Sequence, residues 1–356
     1  MSRYVPAAKS DGNIDRGELG SPSRADSADL MTAPESESIL RSHAVNGRGV
    51  YLVPIALLAL IALLLGLLLP NFYRSSNIFV ILQQASVLGI VTCGQLLVLL
   101  VAGIDLSVGA VMSASLVIVA VMNRNGDGLL GLSLAVAVGF GAAVGLINGL
   151  LIAVRRVPPF AATLGSLACV QGGILVYTKG VPAGSIPKSL QSVANSGVGA
   201  VPYSFFICLG IGISLFAILR YGVYGRRIYA VGRSLEAAKR LAIPTLRIRI
   251  SAYVLCGALA AVAGIILSAY VGYTDPTIGT NYNLESIAAA VVGGVAFTGG
   301  QGGAIGALAG VLFLSALIDA VVLINVGPHL QLIIQGAVLI LAVSAYQRLK
   351  NRITGI

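Results

Sequence analysis

The chain has 356 residues, of which 57% are hydrophobic and only 10% charged, and it contains no tryptophan. A membrane span takes roughly 20 apolar residues, so about ten spans account for the whole hydrophobic fraction, whereas a water-soluble enzyme would carry nearer a quarter charged residues and is excluded. The formal charge of +10 does not indicate nucleic acid either, because bilayer-length apolar runs interrupt the basic residues and no basic-aromatic stripe occurs.

Residues 1–46 hold five Lys/Arg and seven Asp/Glu and show no helical apolar period. They read as a disordered cytoplasmic tail. No apolar core follows the initiating residues, which argues against a cleavable signal peptide. The first continuous apolar run, 51–69, is long enough to span and ends at Pro70-Asn71. Others follow at 78–102, 106–122, 129–154, 159–176, 203–220, 250–273, 284–298, 303–325 and 329–346. These predict an all-α polytopic membrane protein: about ten transmembrane helices within residues 47–348, a polar cytoplasmic segment over 221–249, and a short C-terminal end at 349–356.

Charge orients this scheme. The loops assigned to the cytoplasm carry Arg48, Arg155, Arg156, Arg348, Lys350, Arg352 and eight basic residues from Arg220 to Arg249. The outer side carries only Arg74, Arg124, Lys179 and Lys188. Fourteen against four places both termini in the cytoplasm, where Lys and Arg are retained. Two glycine-rich loops, Ala102–Val108 and Thr298–Gly303, hold no basic residue to anchor them at the surface. Such backbone is tolerated at membrane depth only when buried in protein or lining an aqueous cavity. The two share a loose likeness that hints at internal duplication.

The sharpest local feature is Asp105, an acid between two apolar runs, with Ser107 two residues on and glycines at 103 and 109. An ionisable group at membrane depth is a functional candidate by default. Two compatible roles fit: lining the path of a polar solute, or capping the next helix by accepting from amides near Val108. Asp319 sits mid-span and is expected to face the interior, toward either a neighbouring helix or a solute. Glu285 opens its helix, where the dipole favours a carboxylate. Gln95, Asn281, Asn283 and Asn325 add directional donors and acceptors suited to a polyhydroxylated solute, though each can also tie helices together. The path candidates are therefore Gln95, Gly103, Asp105, Ser107, Asn281, Asp319 and Asn325.

The series Gly141-x3-Gly145-x3-Gly149 and Gly302-x3-Gly306-x3-Gly310 predict close helix packing. Within the polar segment a short helix is expected from Ser234 to Leu241, with Ser234 as N-cap and Pro244 ending it. Glu236 amid alanines makes it either a solvated basic loop or a helix shaped to dock in a partner's groove. The cysteines Cys93, Cys169, Cys208 and Cys256 lie in apolar segments and read as small hydrophobes. No P-loop, Ser–His or Cys–His arrangement or metal-ligand spacing occurs, so no enzyme activity, cofactor or metal is expected of this chain.

Several blocks resemble one family. Gly103-Ile-Asp-Leu-Ser-Val-Gly109 is similar to the signature of the permease subunits of bacterial ATP-binding-cassette importers for monosaccharides, the ribose, xylose and arabinose type. Asn148-Gly-Leu-Leu151, Pro159-Phe-Ala-Ala-Thr-Leu-Gly165 and Gly293-Gly-Val-Ala-Phe-Thr-Gly-Gly-Gln-Gly-Gly303 fit it in order and spacing, over about residues 50 to 346. Tyr229-Ala-Val-Gly-Arg-Ser-Leu-Glu-Ala-Ala238 resembles the family's cytoplasmic segment, whose Glu-Ala-Ala stretch seats in the ATPase. The resemblance implies an ATPase-coupling surface at Gly232, Ser234, Glu236, Ala237, Ala238 and Ala242. Two departures occur there: Ala242 stands where glycine is common and Ser234 where asparagine is usual.

The resemblance further implies a half-channel in the lipid of the bacterial inner membrane. Its partners would be a second permease copy, like or unlike, a cytoplasmic ATPase that binds the ATP, and a periplasmic sugar-binding protein. Two other readings stand beside this one. The first is an ion-coupled secondary transporter using Asp105 and Asp319; the second is the same machinery for a non-sugar solute such as an amino acid or signalling molecule.

Overall fold

The computed structural model describes residues 71–325 without a break, with Ile55, Ala56, Ala59, Leu60, residues 63–69 and isolated positions between 327 and 344. The expected tail 1–46, the end 349–356 and most of the expected first and last spans, 51–69 and 329–346, lie outside the described residues.

All eight internal apolar segments fold as helices: α1 (Ser75–Leu100), α2 (Val108–Met122), α3 (Leu130–Ala153), α4 (Pro159–Thr178), α6 (Tyr203–Tyr221), α9 (Thr245–Val271), α10 (Tyr282–Val292) and α11 (Ala304–Leu323). Between α4 and α6 lie α5 (Lys188–Ala194) and a minimal hairpin, β1 (Gly197–Val198) with β2 (Val201–Pro202). Between α6 and α9 lie α7 (Val223–Arg233) and α8 (Leu235–Arg240). Helix boundaries follow local chemistry. Proline opens α4 at its first position, where its missing N–H is no loss, and Gly272 ends α9 with φ 77°.

Among the described residues six helices are long and apolar enough to cross a membrane: α1, α3 (counted with the turn before it, from Asp127), α4, α6, α9 and α11. The other two are shorter than their apolar runs. With 15 residues in α2 and 11 in α10, they reach about 22 and about 16 Å, short of a hydrocarbon core of about 30 Å. Each apolar run includes irregular backbone beside its helix, at 106–107 and 293–298, within longer irregular stretches at 101–107 and 293–303. An apolar count cannot distinguish such backbone from helix.

The longest helix, α9, is central and packs on α3, α1 and α2. Its contact with α3 is backbone to backbone. A Cβ at Gly141 would overlap the Gly257 carbonyl, and one at Gly145 the Tyr253 carbonyl. The close-packing role expected of this series is what the structure has, and Gly310 lies likewise against the Ala289 carbonyl. Helix α1 is sheathed by α9, α11, α6 and α10, which explains how it carries buried Gln83 and Gln95. Gln83 Nε2, for instance, donates to the Ala194 carbonyl at 2.9 Å. By contrast α4 and α6 turn Phe160, Leu164, Val176, Phe206 and Ile213 outward.

Successive loops alternate between two ends. At one, the Gly300 amide donates to the Leu100 carbonyl at 3.0 Å, and Tyr229 Oη donates to the Gly302 carbonyl at 2.7 Å. At the other, the Ser185 amide donates to the Ala120 carbonyl at 3.1 Å and Ser189 Oγ donates to Asp127 Oδ2. Loops of this second end surround a cavity of about 700 Å³ lined by Asn123, Asp127, Lys188, Gln191 and Thr274. From there the chain before α10 runs inward. Gln171 Nε2 donates to the Pro276 carbonyl at 2.9 Å, and the Gly279 amide donates to Ser113 Oγ at 3.1 Å.

Candidate functional site

The break between α1 and α2 is built around Asp105. Val101 ends α1, and Ala102 follows in the left-handed region at φ 57°. A Cβ at Gly103 would overlap the Tyr253 hydroxyl, so a side chain there would have to displace that buried ring. Asp105 itself is 0% exposed. Its Oδ1 accepts from the Ser107 amide at 2.9 Å and from Ser107 Oγ at 2.6 Å. Asp105 does not cap α2, which starts without a side-chain cap; it closes a turn on Ser107 instead.

Neighbouring helices complete the cluster. Gln95, its amide turned to match, donates to the Asp105 carbonyl and accepts from the Asp105 amide, both at 3.2 Å. Asn148 Nδ2 of α3 donates to Ser107 Oγ at 3.0 Å, and Ser166 Oγ of α4 donates to Asn148 Oδ1 at 2.5 Å. Tyr253 Oη of α9 and Thr163 Oγ1 of α4 both donate to the Ile104 carbonyl at 3.4 Å. Three sequence blocks, beginning at Gly103, Asn148 and Pro159, therefore meet on one buried network. Asp105 Oδ2 has no hydrogen-bond partner among the described residues.

Asp319 belongs elsewhere. It is 3% exposed, and its Oδ2 accepts from Asn77 Nδ2 at 2.8 Å, tying α11 to the first turn of α1. Of the two roles open to it, the helix tie is the one seen. Asn77 and Gln95 are 18 positions apart on α1, a separation of about 27 Å along the axis. The two aspartates therefore do not form one ion site.

The asparagines also divide. Asn281 is exposed and makes no side-chain cap at the start of α10, while buried Asn283 accepts from the Gly109 amide at 2.6 Å. That bond joins the starts of α2 and α10, the two short helices. Asn325 is exposed at the end of α11, with φ 56°. Asn148, Ser166 and Tyr253 were not singled out from sequence as site residues. Asn148, a polar side chain in a glycine-rich apolar helix, carried a usable signal; Tyr253 carried none.

The segment after α6 is the second region of interest. Ser234 caps α8 as expected, its Oγ accepting from the Ala237 amide at 3.2 Å. Pro244 does not end this helix, which stops at Arg240. The Ala242 amide donates to the Lys239 carbonyl and the Ile243 amide to the Ala238 carbonyl, each at 3.0 Å. This paired closure needs a left-handed residue, and Ala242 supplies it at φ 55°. Pro244 instead precedes α9. Of the six residues assigned to coupling, Ser234, Glu236, Ala237 and Ala242 are exposed. Gly232 and Ala238 are buried against the helices. Burial raises the Tyr224 phenol above its usual range, offset in part by its bond with Ser251 Oγ at 3.0 Å.

Residues 77–343 match the family described as branched-chain amino acid transport system / permease component. The chain is similar to the ribose import permease protein RbsC of Escherichia coli (strain K12), at 38% identity over 295 residues, covering 81% of this chain and 91% of the relative. It is 35% identical to the ribose import permease protein RbsC of Bacillus subtilis (strain 168), covering 80% and 89%. With the fructose import permease protein FrcC of Rhizobium meliloti it shares 33% identity, covering 84% and 86%. No solved structure matches. The matched region contains both helix breaks, the Asp105 network and the α7–α8 segment, and the chain belongs to the branched-chain amino acid transport system / permease component family, as a multi-pass membrane permease.

Proposed function

We propose that this permease carries a monosaccharide, ribose or a sugar of similar size, inward across the bacterial inner membrane as part of an ATP-driven importer. The observation that carries the reading is 38% identity to a ribose import permease over 91% of that relative's length. The ion-coupled alternative is set aside: the relatives are import permeases, and the two α1 residues that Asp105 and Asp319 bond, Gln95 and Asn77, are about 27 Å apart along the helix axis.

In this reading about ten spans cross the bilayer with both termini in the cytoplasm. The loop end bearing Arg155, Arg156 and the Arg220–Arg249 block faces the cytoplasm, following the retention of basic residues there. The exposed face of α8, with Glu236 and Ala237, docks on a separate ATPase. The end with the 700 Å³ cavity receives sugar from a periplasmic binding protein, and a second permease copy completes the path. Gln95, Gly103, Asp105 and Ser107 hold the first break beneath that path, while exposed Asn281 and Asn325 are available to sugar hydroxyls.

A ligand screen on the cognate periplasmic protein, followed by uptake into vesicles holding the assembled complex, tests the proposal. Retention of D-ribose or a related sugar with ATP-dependent uptake is expected. Retention of an amino acid with no affinity for sugars would overturn the substrate class.

A further inference from the structure

The end of α7 is buried against both helix breaks at once. Gly232 has no room for a side chain, since a Cβ there would overlap the Leu100 carbonyl oxygen and sit 2.5 Å from the Gly300 nitrogen. Leu100 and Gly300 are themselves joined by the 3.0 Å bond from the Gly300 amide. One turn before Gly232, the Tyr229 hydroxyl donates to the Gly302 carbonyl at 2.7 Å. A Cβ at Gly299 would lie 2.8 Å from Ala102 Cβ, and one at Gly300 would lie 2.5 Å from Arg233 Cγ. Three stretches of backbone, distant in sequence, thus meet with almost no side chain between them.

Such a meeting has mechanical consequences. A contact made through long side chains yields by rotamer changes, whereas backbone against backbone has no soft torsion to absorb a push. We infer that Gly232 and Tyr229 are positioning residues of transport: they join α7 to both breaks, so that displacing the α7–α8 segment shifts the two breaks together. The shift reaches the polar network directly, because Asp105 lies three residues beyond Ala102. Packed elements with two arrangements convert small displacements into discrete rearrangements in this way. The inference rests on the proposed docking of α8 on an ATPase, which supplies the push.

The test uses the full complex in membranes, with Cys169→Ser removing the exposed native thiol and Thr298→Cys reporting from the exposed part of the second break. Maleimide labelling is compared without nucleotide and with ATP plus vanadate. With Tyr229 intact the rates should differ by about fivefold or more, and Tyr229→Phe or Gly232→Ala should reduce the difference to about twofold or less. The ATPase should co-purify with Tyr229→Phe at the wild-type ratio. An undiminished difference in both variants would overturn the inference, as would no nucleotide dependence with Tyr229 intact. Loss of the ATPase from Tyr229→Phe would also overturn it, by making Tyr229 part of the docking surface. The docking reading fails separately, if Glu236→Lys keeps both its ATPase and wild-type D-ribose uptake.

Discussion

The two helix breaks are held by different chemistry. The first, at 101–107, is fastened by side chains: Asp105 to Ser107, Gln95 to the Asp105 backbone, and Asn148 to Ser107. The second, at 293–303, is fastened mainly by main chain. Gly294, Gly299, Gly300 and Gly302 all have positive φ, and the Ala296 amide donates to the Gln301 carbonyl at 3.2 Å. A side-chain lock is lost by deleting atoms, and a backbone lock by adding them. Polar truncations should therefore act at the first break and small-to-larger changes at the second.

The largest effect is expected from Asp105→Ala. It leaves the buried Ser107 amide and hydroxyl without their acceptor, at about 1–3 kcal/mol each. D-ribose uptake at matched membrane levels should fall about tenfold or more, and Asp105→Asn, which keeps one acceptor oxygen, should recover part of it. Wild-type uptake by Asp105→Ala would show that the first lock is dispensable.

A carboxylate outside either break sharpens the contrast. Asn77→Ala removes the donor to Asp319, a loss of about 1–3 kcal/mol in stability, read as a lower melting temperature in detergent. Uptake per folded molecule should stay near wild type. A selective loss of uptake would return Asp319 to the solute path.

At the second break Gly300→Ala forces a side chain into the left-handed region, at about 1–2 kcal/mol, and presses on Arg233. Thermal unfolding should register this, and an unchanged melting temperature would mean that the second break is not held by its glycines. The smallest change is a gain. Ala242→Gly relieves the left-handed closure of α8 and should stabilise it by about 1 kcal/mol, measured as slower hydrogen exchange at Ala242 and Ile243. No slowing there would indicate that the strain is absorbed elsewhere.

Ala242 illustrates how much was legible in advance. Its departure from the pattern that the resemblance implied was visible in the letters, as was the cap at Ser234, because both depend on residues within one turn. The positions of the eight described apolar segments were equally legible, since hydropathy is a local sum. Their partition into helix and break was legible only in part. Glycine clusters marked where the chain leaves helical form, but not that α2 and α10 would stop at 15 and 11 residues.

Sequence alone determined the membrane class, the apolar segments, the charge asymmetry between loops and the presence of an acid, Asp105, between two apolar runs. All of these follow from composition within a short window and from the cost of placing polar groups in lipid. Tertiary structure decided which polar groups meet. Asn283 rather than Asn281 joins the two short helices, Asp319 ties to Asn77 across 242 positions, and Gly232 turns inward while Glu236 turns out. Each outcome depends on which helix faces pack together, and helices that are apolar on nearly every side carry no stripe to announce that choice.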